Sequence, residues 1–300
     1  MICIFKDIAD KYDDIMKINP DDKIPVYLIK SLIIRFGDHN VTLMAGQLAY
    51  FFLLSMFPFI IFLNALISSL KLSKEIVVGF LQDVFPVQIA DLIGSYVEYV
   101  SNLQSGVGII SVGVIIALFS ASKSVRALSI AINQAYSIKE KRYFIIRLLL
   151  SIIFTFALGV IVFLCLFVVS VGRQWLYRIV IMMDVPVKWL NVISIGKWVV
   201  VFTVFLIILL LVYYTIPLKR VRLKNIIPGA IVAIIANFAL TYGYSIYISY
   251  FSNFSVLYGS LGVVLLLALW LYLVGVFIIM GAEINSAVEE IKYFRIKKKV

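Results

Sequence analysis

The sequence predicts an all-α membrane protein, a polytopic helical bundle with six transmembrane helices and further amphipathic helices at its interfaces. Hydrophobic residues make up 63% of the chain and its mean hydropathy is +1.07, far above the values of soluble domains. Apolar runs recur at the length needed to cross a bilayer, which is about 20 residues. The longest run, from Asn225 to Ala282, holds no charged residue and must therefore cross the membrane twice.

Three regions follow from the distribution of charge. Residues 1–36 place charges between apolar residues at helical spacing, which predicts cytoplasmic amphipathic helices. Residues 37–287 form the six-span membrane domain, and residues 288–300 form a basic cytoplasmic tail. The spans are predicted at residues 41–70, 106–136, 145–172, 195–218, 226–250 and 257–283.

The first span is longer than a bilayer requires, so we expect it to be tilted or kinked. Pro58 is the predicted kink, because its ring removes one helical hydrogen bond and clashes with the preceding turn. Gln47 lies in the same span and is expected to face other helices rather than lipid.

The segments between the spans are also predicted to contain helices. Residues 73–104 and 173–190 repeat apolar residues at i, i+3 and i+4 with charges between them, which predicts amphipathic segments on the outer face. The second span continues past Lys123 and Arg126 towards Tyr136. The third and fourth spans are continuous apolar runs, and the uncharged closing run supplies the fifth and sixth.

The orientation follows from the basic residues. Most of the 27 Lys and Arg residues fall in the N-terminal segment, between spans two and three, between spans four and five, or at the C-terminus. Cytoplasmic loops carry this excess, so we predict that both termini are cytoplasmic. The same rule accounts for the net charge of +11, and we therefore expect no nucleic-acid partner.

Several stretches resemble one family. They are AGQLAYFFLLSMFPF in span one, SASKSVRALSIAINQAY in span two, and IIPGAIVAIIANF, YGSLGVVLLLALWLYL and GAEIN in the closing run. In this order they resemble the YihY/BrkB family of bacterial inner-membrane proteins, over residues 30–290. The resemblance implies a six-span protein of the bacterial cytoplasmic membrane with no firmly assigned activity. Virulence roles and movement of lipid-linked molecules have been proposed for members, and an older ribonuclease label has been abandoned.

Two cations in span two are the first candidate site. Lys123 and Arg126 are three residues apart and so share a helix face. At 1.5 Å per residue, Lys123 lies about 25 Å along the span, near the cytoplasmic boundary. Together with Ser120 and Ser124 they could bind an anionic lipid headgroup. The alternative is that both cations are interface anchors whose charged ends reach the headgroups.

Glu283 ends the sixth span at a similar depth and is predicted to pair with Lys123 or Arg126. That pair would be a structural lock or a gate. Asn237, in span five, joins Glu283, Gln47 and Pro58 in the predicted coupling or gating set. Interhelical hydrogen bonding is the alternative use of the polar side chains in this set.

Catalytic chemistry is not expected. The chain has one histidine, its acids are scattered, and it contains no nucleotide-binding loop, so no catalytic residue, metal site or cofactor is predicted. The leading hypothesis is transport or flipping of an amphiphilic anion, such as a lipid or lipid-linked saccharide. A non-transporting scaffold for envelope assembly is the alternative, and a ribonuclease is the least supported. The expected partners are membrane lipids, and a homo-oligomer is left open.

Overall fold

The computed structural model describes residues 24–70, 94–95, 107–138, 145–146, 149, 151–153, 188–250 and 254–297. Within these ranges the regular secondary structure is helical throughout, as the sequence predicts. The long helices are α1 (Ile24–Asp38), α2 (Val41–Leu70), α3 (Val107–Ala135), α4 (Lys188–Thr215), α5 (Leu223–Tyr250) and α6 (Phe254–Lys297).

The bounds of the long helices follow the predicted spans closely in the first half of the chain. The first predicted span coincides with α2, and the second agrees with α3 to within a residue at each end. By contrast, α4 begins at Lys188, inside the predicted outer segment 173–190. The predicted outer segment 73–104 and the predicted third span lie almost wholly outside the described residues.

The predicted basic tail, residues 288–300, is helical over most of its length. Residues 288–297 continue α6, which is 44 residues long. Its last turns are held against the bundle, because Lys219 pairs with Glu289 and Lys292 donates to the side chain of Asn225. These contacts give the charged turns partners that the sequence alone does not reveal.

Helix α6 is the central element of the described fold, since it packs against α1, α2, α3 and α5. Small residues allow the closest approaches. The Cα of Gly275 faces Ala45 and Leu48 of α2, and Gly229 of α5 meets Gly281 of α6 with no room for a side chain between them. The main buried cluster takes residues from all five helices from α2 through α6. They include Leu48, Leu128, Ile132, Tyr213, Ile226, Ile234 and Ala282.

A tight turn places α1 beside α6. Asn40 adopts a φ of 51°, a left-handed conformation that Asn tolerates better than most residues. Its amide donates to the carbonyl of Gly37 at 2.9 Å. The end of α1 lies against the C-terminal half of α6, where Arg35 pairs with Glu283.

Two described stretches are long and apolar enough to cross a membrane, Leu223–Ile248 and Val264–Tyr293. Shorter apolar helical stretches occupy Val41–Met56 and Val201–Thr215. The number of crossings and the orientation of the termini stay predictions.

Candidate functional site

Polar side chains gather at one end of the bundle, which we call the polar end. It comprises the C-terminal parts of α1 and α3, the α4–α5 connection and the part of α6 from Glu283 to Lys292. The sequence predicts that these four parts share the cytoplasmic side. The structure brings these four parts together, which agrees with the prediction that they lie on one side of the membrane.

Glu283 lies at the centre of the polar end and is completely buried. Both of its carboxylate oxygens are engaged: Oε2 lies 3.3 Å from Arg35 Nη1, and Oε1 lies 2.6 Å from His39 Nδ1. A carboxylate can remain charged in such a place only if it is paired. Both partners come from α1 and the turn that follows it.

Arg35 connects three helices through one guanidinium group. Besides Glu283, it donates to the carbonyl of Ala135 on α3 at 3.2 Å and to Ser286 Oγ on α6 at 3.1 Å. Its other terminal nitrogen lies 2.5 Å from Glu290. The planar fork of five donors suits arginine to such a junction.

The face of α1 that packs against the bundle positions Arg35 for its contacts with α3 and α6. Tyr27, Ser31 and Arg35 follow one another at intervals of four residues and so share a helix face, and the first two are buried. Arg35 Nε donates to Ser31 Oγ at 2.9 Å. Burial, and then the nearby carboxylate of Glu290, raise the pKa of Tyr27, so its hydroxyl remains a neutral donor.

His39 adds a second tie between α1 and the bundle. While its ring contacts Glu283, its carbonyl accepts a hydrogen bond from Gln134 Nε2 of α3 at 3.2 Å. The side chains of Arg35 and His39, with these backbone bonds, therefore fasten α1 to both α3 and α6.

The predicted pairing of Glu283 with Lys123 or Arg126 is wrong, because Arg35 and His39 take both oxygens. Lys123 is instead exposed, with its ammonium 4.9 Å from the centre of the Phe119 ring. One sequence pattern could have indicated the partners of Glu283: the single histidine, His39, follows Arg35 by four residues, and Arg35 follows Ser31 by four.

The structure describes the side chains of three of the four residues of the predicted headgroup site. Lys123 is exposed and Arg126 is half-buried on α3. Ser124 is buried, and its hydroxyl has no hydrogen-bond partner among the described residues. The side chain of Ser120 lies outside those described. The arrangement is compatible with an anion site and with interface anchors.

The predicted gating residues have different surroundings. Asn237 is half-buried on α5, where Nδ2 donates to the carbonyl of Ala233 at 2.8 Å and Oδ1 has no partner among the described residues. Gln47 is exposed on α2, so no helix of the described ranges covers it, and its predicted contact with another helix stays a prediction. Helix α2 runs through Pro58, whose side chain lies outside those described.

Asn285 is a polar residue whose role the sequence did not reveal. It is completely buried, and its Oδ1 accepts from the backbone amide of Gly229 on α5 at 2.7 Å. This contact lies beside Pro228, which sits inside α5 and has no N–H to donate. Asn285 thus links α6 to the turn of α5 that contains Pro228.

Metal binding has no support in the described ranges, since no three His, Cys, Asp or Glu side chains there lie close enough to share an ion. The Glu283 carboxylate is already occupied by two side chains of its own chain.

Comparison with known proteins gives consistent matches. A family profile described as Virulence factor BrkB matches residues 32–299. The ribonuclease-like protein YfkH of Bacillus subtilis is 35% identical over 264 residues, which are 88% of this chain and 96% of that protein. A UPF0761 membrane protein of Pseudoalteromonas atlantica is 26% identical, covering 83% and 82% of the two chains. One of Alteromonas mediterranea is 27% identical, covering 85% of each. No solved structure matches significantly.

Proposed function

The chain belongs to the BrkB family of membrane proteins, and on that premise we propose that it moves an amphiphilic anion across the bacterial cytoplasmic membrane. The cargo class is a lipid or a lipid-linked saccharide, and the chain crosses the membrane several times. The observation that carries the proposal is the completely buried Glu283, held by Arg35 of α1 and by His39 of the turn that follows it.

An ionisable side chain in an apolar helix is costly, and such residues commonly mark the path of a substrate or ion. Glu283 lies within the apolar stretch Val264–Tyr293. Its partners Arg35 and His39 come from α1 and the turn that follows it, which the sequence places outside the spans. Movement of α1 would therefore uncover Glu283 without unfolding a transmembrane helix, and this makes the Arg35–Glu283–His39 cluster the proposed gate.

The anionic character of the cargo is proposed from α3. Lys123 presents an exposed ammonium, and Ser124 carries a buried hydroxyl with no described partner one residue later. Arg126 adds a guanidinium three residues from Lys123. Charge-assisted hydrogen bonds of this kind are the usual means of holding a phosphate.

The test is flipping of a fluorescent phosphatidylglycerol in vesicles that contain the purified protein, followed by dithionite quenching of the outer leaflet. We expect flipping faster than in protein-free vesicles. The double variant Lys123→Ala and Arg126→Ala should reduce the rate by about a hundredfold or more, since each charged hydrogen bond contributes about 1.5–3 kcal/mol and each 1.36 kcal/mol on a barrier is tenfold in rate.

The matched control replaces two other exposed cations, Arg222 and Lys224, by alanine. This variant loses the same charge and should retain the wild-type rate. Lipid flipping is contradicted if the wild-type protein gives the rate of protein-free vesicles. The assignment to Lys123 and Arg126 is contradicted if both double variants behave alike.

A non-transporting scaffold is the second candidate, and the closeness of the α5–α6 contact favours it. Gly229 and Gly281 approach so closely that a Cβ on either would overlap the other helix, as expected of a rigid bundle. A scaffold predicts an envelope defect when the protein is absent, with no flipping by the purified protein.

A ribonuclease is the third candidate, suggested only by the name of the Bacillus subtilis relative. It would require RNA cleavage by purified protein that is free of other nucleases. We propose that the chain is not an enzyme, needs no cofactor and has membrane lipids as its partners.

A further inference from the structure

The contact between His39 and Glu283 can exist in two charge states. His39 is the single histidine of the chain, and its Nδ1 lies 2.6 Å from Glu283 Oε1. An ionised carboxylate has no hydrogen to donate, so the hydrogen of this contact belongs to Nδ1. The other ring nitrogen, Nε2, is then the atom that gains or loses a proton when the ring changes charge. The contact is therefore compatible with a neutral and with a charged ring.

The strength of this contact depends on the charge of the ring. With a neutral ring, Nδ1 donates a hydrogen bond to the carboxylate. With a proton added at Nε2, the imidazolium places a full positive charge at hydrogen-bond distance from Oε1. Solvent screens such a pair weakly, because Glu283 is completely buried. Protonation of His39 therefore strengthens the attachment of the turn after α1 to α6.

Arg35 supplies Glu283 with only part of a positive charge, because two carboxylates share it. Its Nη1 lies 3.3 Å from Glu283 Oε2, and its Nη2 lies 2.5 Å from Glu290 Oε2. The shorter of the two contacts goes to Glu290, whereas the shorter contact of Glu283 is the one with His39. The charge of His39 therefore acts directly on how firmly Glu283 holds α1.

His39 can be separated from the other ionisable groups by a single substitution. Besides Arg35, the titratable or charged groups that the structure describes around Glu283 and His39 come from α1, α3, α6 and the α4–α5 connection: Tyr27, Asp38, Tyr136, Lys219, Glu289 and Glu290. Helix α2 contains no Asp, Glu, Lys, Arg or His. Histidine is the side chain that ordinarily changes charge between about pH 5 and 8, and the chain has one.

We propose that His39 is a proton-binding site that regulates α1: the charged ring keeps α1 docked on Glu283, and loss of the proton loosens it. This inference rests on the proposed function, since it names the regulator of the gate described there. The docked form gains an ion pair only when His39 is charged, so docking is strongest at the acid end of the histidine range and weakens as the pH rises. By linkage, release of α1 favours loss of the proton.

Backbone hydrogen exchange of the full-length protein in detergent micelles tests the site. Exchange of α1 is compared with exchange of α5 at about pH 5.5 and about pH 8.5, on either side of the histidine range. The intrinsic exchange rate rises with pH in both helices, so their ratio removes it. We expect the protection of α1 relative to α5 to fall by about five- to tenfold at the higher pH, since charge-assisted hydrogen bonds are roughly twice as strong as others.

The variant His39→Asn keeps an N–H donor at the position of Nδ1 but cannot take up a proton. At the lower pH its α1 should exchange about five- to tenfold faster than that of the wild type, and at the higher pH at the same rate. Ser31→Ala is the matched control, because Ser31 bonds Arg35 on the same face of α1 without a proton that titrates. Any faster exchange in this control should be the same factor at both pH values.

The proposal is overturned if the wild-type protection of α1 relative to α5 is equal at the two pH values, if it rises with pH, or if His39→Asn keeps the wild-type response. Hydrogen exchange does not depend on transport, so its outcome is separate from that of the flipping assay. A protein that shows the expected exchange response but flips no lipid would support the proton site and contradict the proposed function.

Discussion

At the scale of single residues, Arg35 does the most to hold the polar end together. It contacts Glu283, Ser286 and Glu290 on α6 and the carbonyl of Ala135 on α3. Arg35→Ala should lower the free energy of unfolding by about 3–5 kcal/mol, because it leaves the buried Glu283 short of a counter-ion. The measurement is denaturant unfolding in detergent micelles.

The matched control for Arg35→Ala is Lys219→Ala. Lys219 pairs with Glu289 at 3.0 Å, but both side chains are partly exposed, so the loss should be at most about 1 kcal/mol. Equal losses in the two variants would show that the Arg35–Glu283 pair is no more important than a surface ion pair.

The sequence identified Glu283 as an acid that needs a partner, and the structure agrees with that requirement. It did not identify the partner, because residue spacing gives depth along a helix but not which helices are neighbours. Gln47 shows the same limit, since a polar residue in an apolar helix can face inwards or outwards. No sequence pattern indicated the role of Asn285, because its side chain bonds to the backbone of another helix.

At the scale of helices, the crossing of α5 and α6 depends on two glycines. A Cβ at Gly281 would lie 2.8 Å from the carbonyl oxygen of Gly229 and 2.9 Å from the Cβ of Ala233. Because two backbones would have to move apart, Gly281→Ala should destabilise the fold by about 1–3 kcal/mol, as measured by the same unfolding experiment.

Gly243→Ala is the control on the same pair of helices, because a Cβ there meets nothing within 4 Å. Alanine is the better helix former, so this variant should be neutral or more stable by up to about 1 kcal/mol. A destabilisation equal to that of Gly281→Ala would mean that helix flexibility, rather than close packing, explains the role of the glycines.

The apolar run of the first span predicted both ends of α2. Run length did not show how far α6 extends, because residues 288–297 continue that helix. That extension is stabilised by Lys219, Arg35 and Asn225 from other elements. Charge content alone made this segment resemble a tail, because a charged helix and a charged coil have similar compositions.

At the scale of the whole molecule, α6 packs against α1, α2, α3 and α5, and its polar end brings together the described parts of the segments that the sequence places on the cytoplasmic side. The topology inferred from charge and the meeting of these segments are therefore consistent with each other. Arg35 and His39 attach α1 and the turn after it to this arrangement by polar contacts, which can be exchanged for water or for a charged cargo. For this reason we propose that α1 acts as the gate.

The most direct test of the account is to tether α1 to α6 and measure flipping. Ser31 and Ser286 bond the same guanidinium group, so cysteines at both positions, in a background in which Cys3 and Cys165 are replaced by alanine, lie within reach of a short reducible cross-linker. The single-cysteine variants serve as controls. We predict that cross-linking stops the flipping of fluorescent phosphatidylglycerol and that reduction restores it. Undiminished flipping by the tethered protein would contradict a gate at α1.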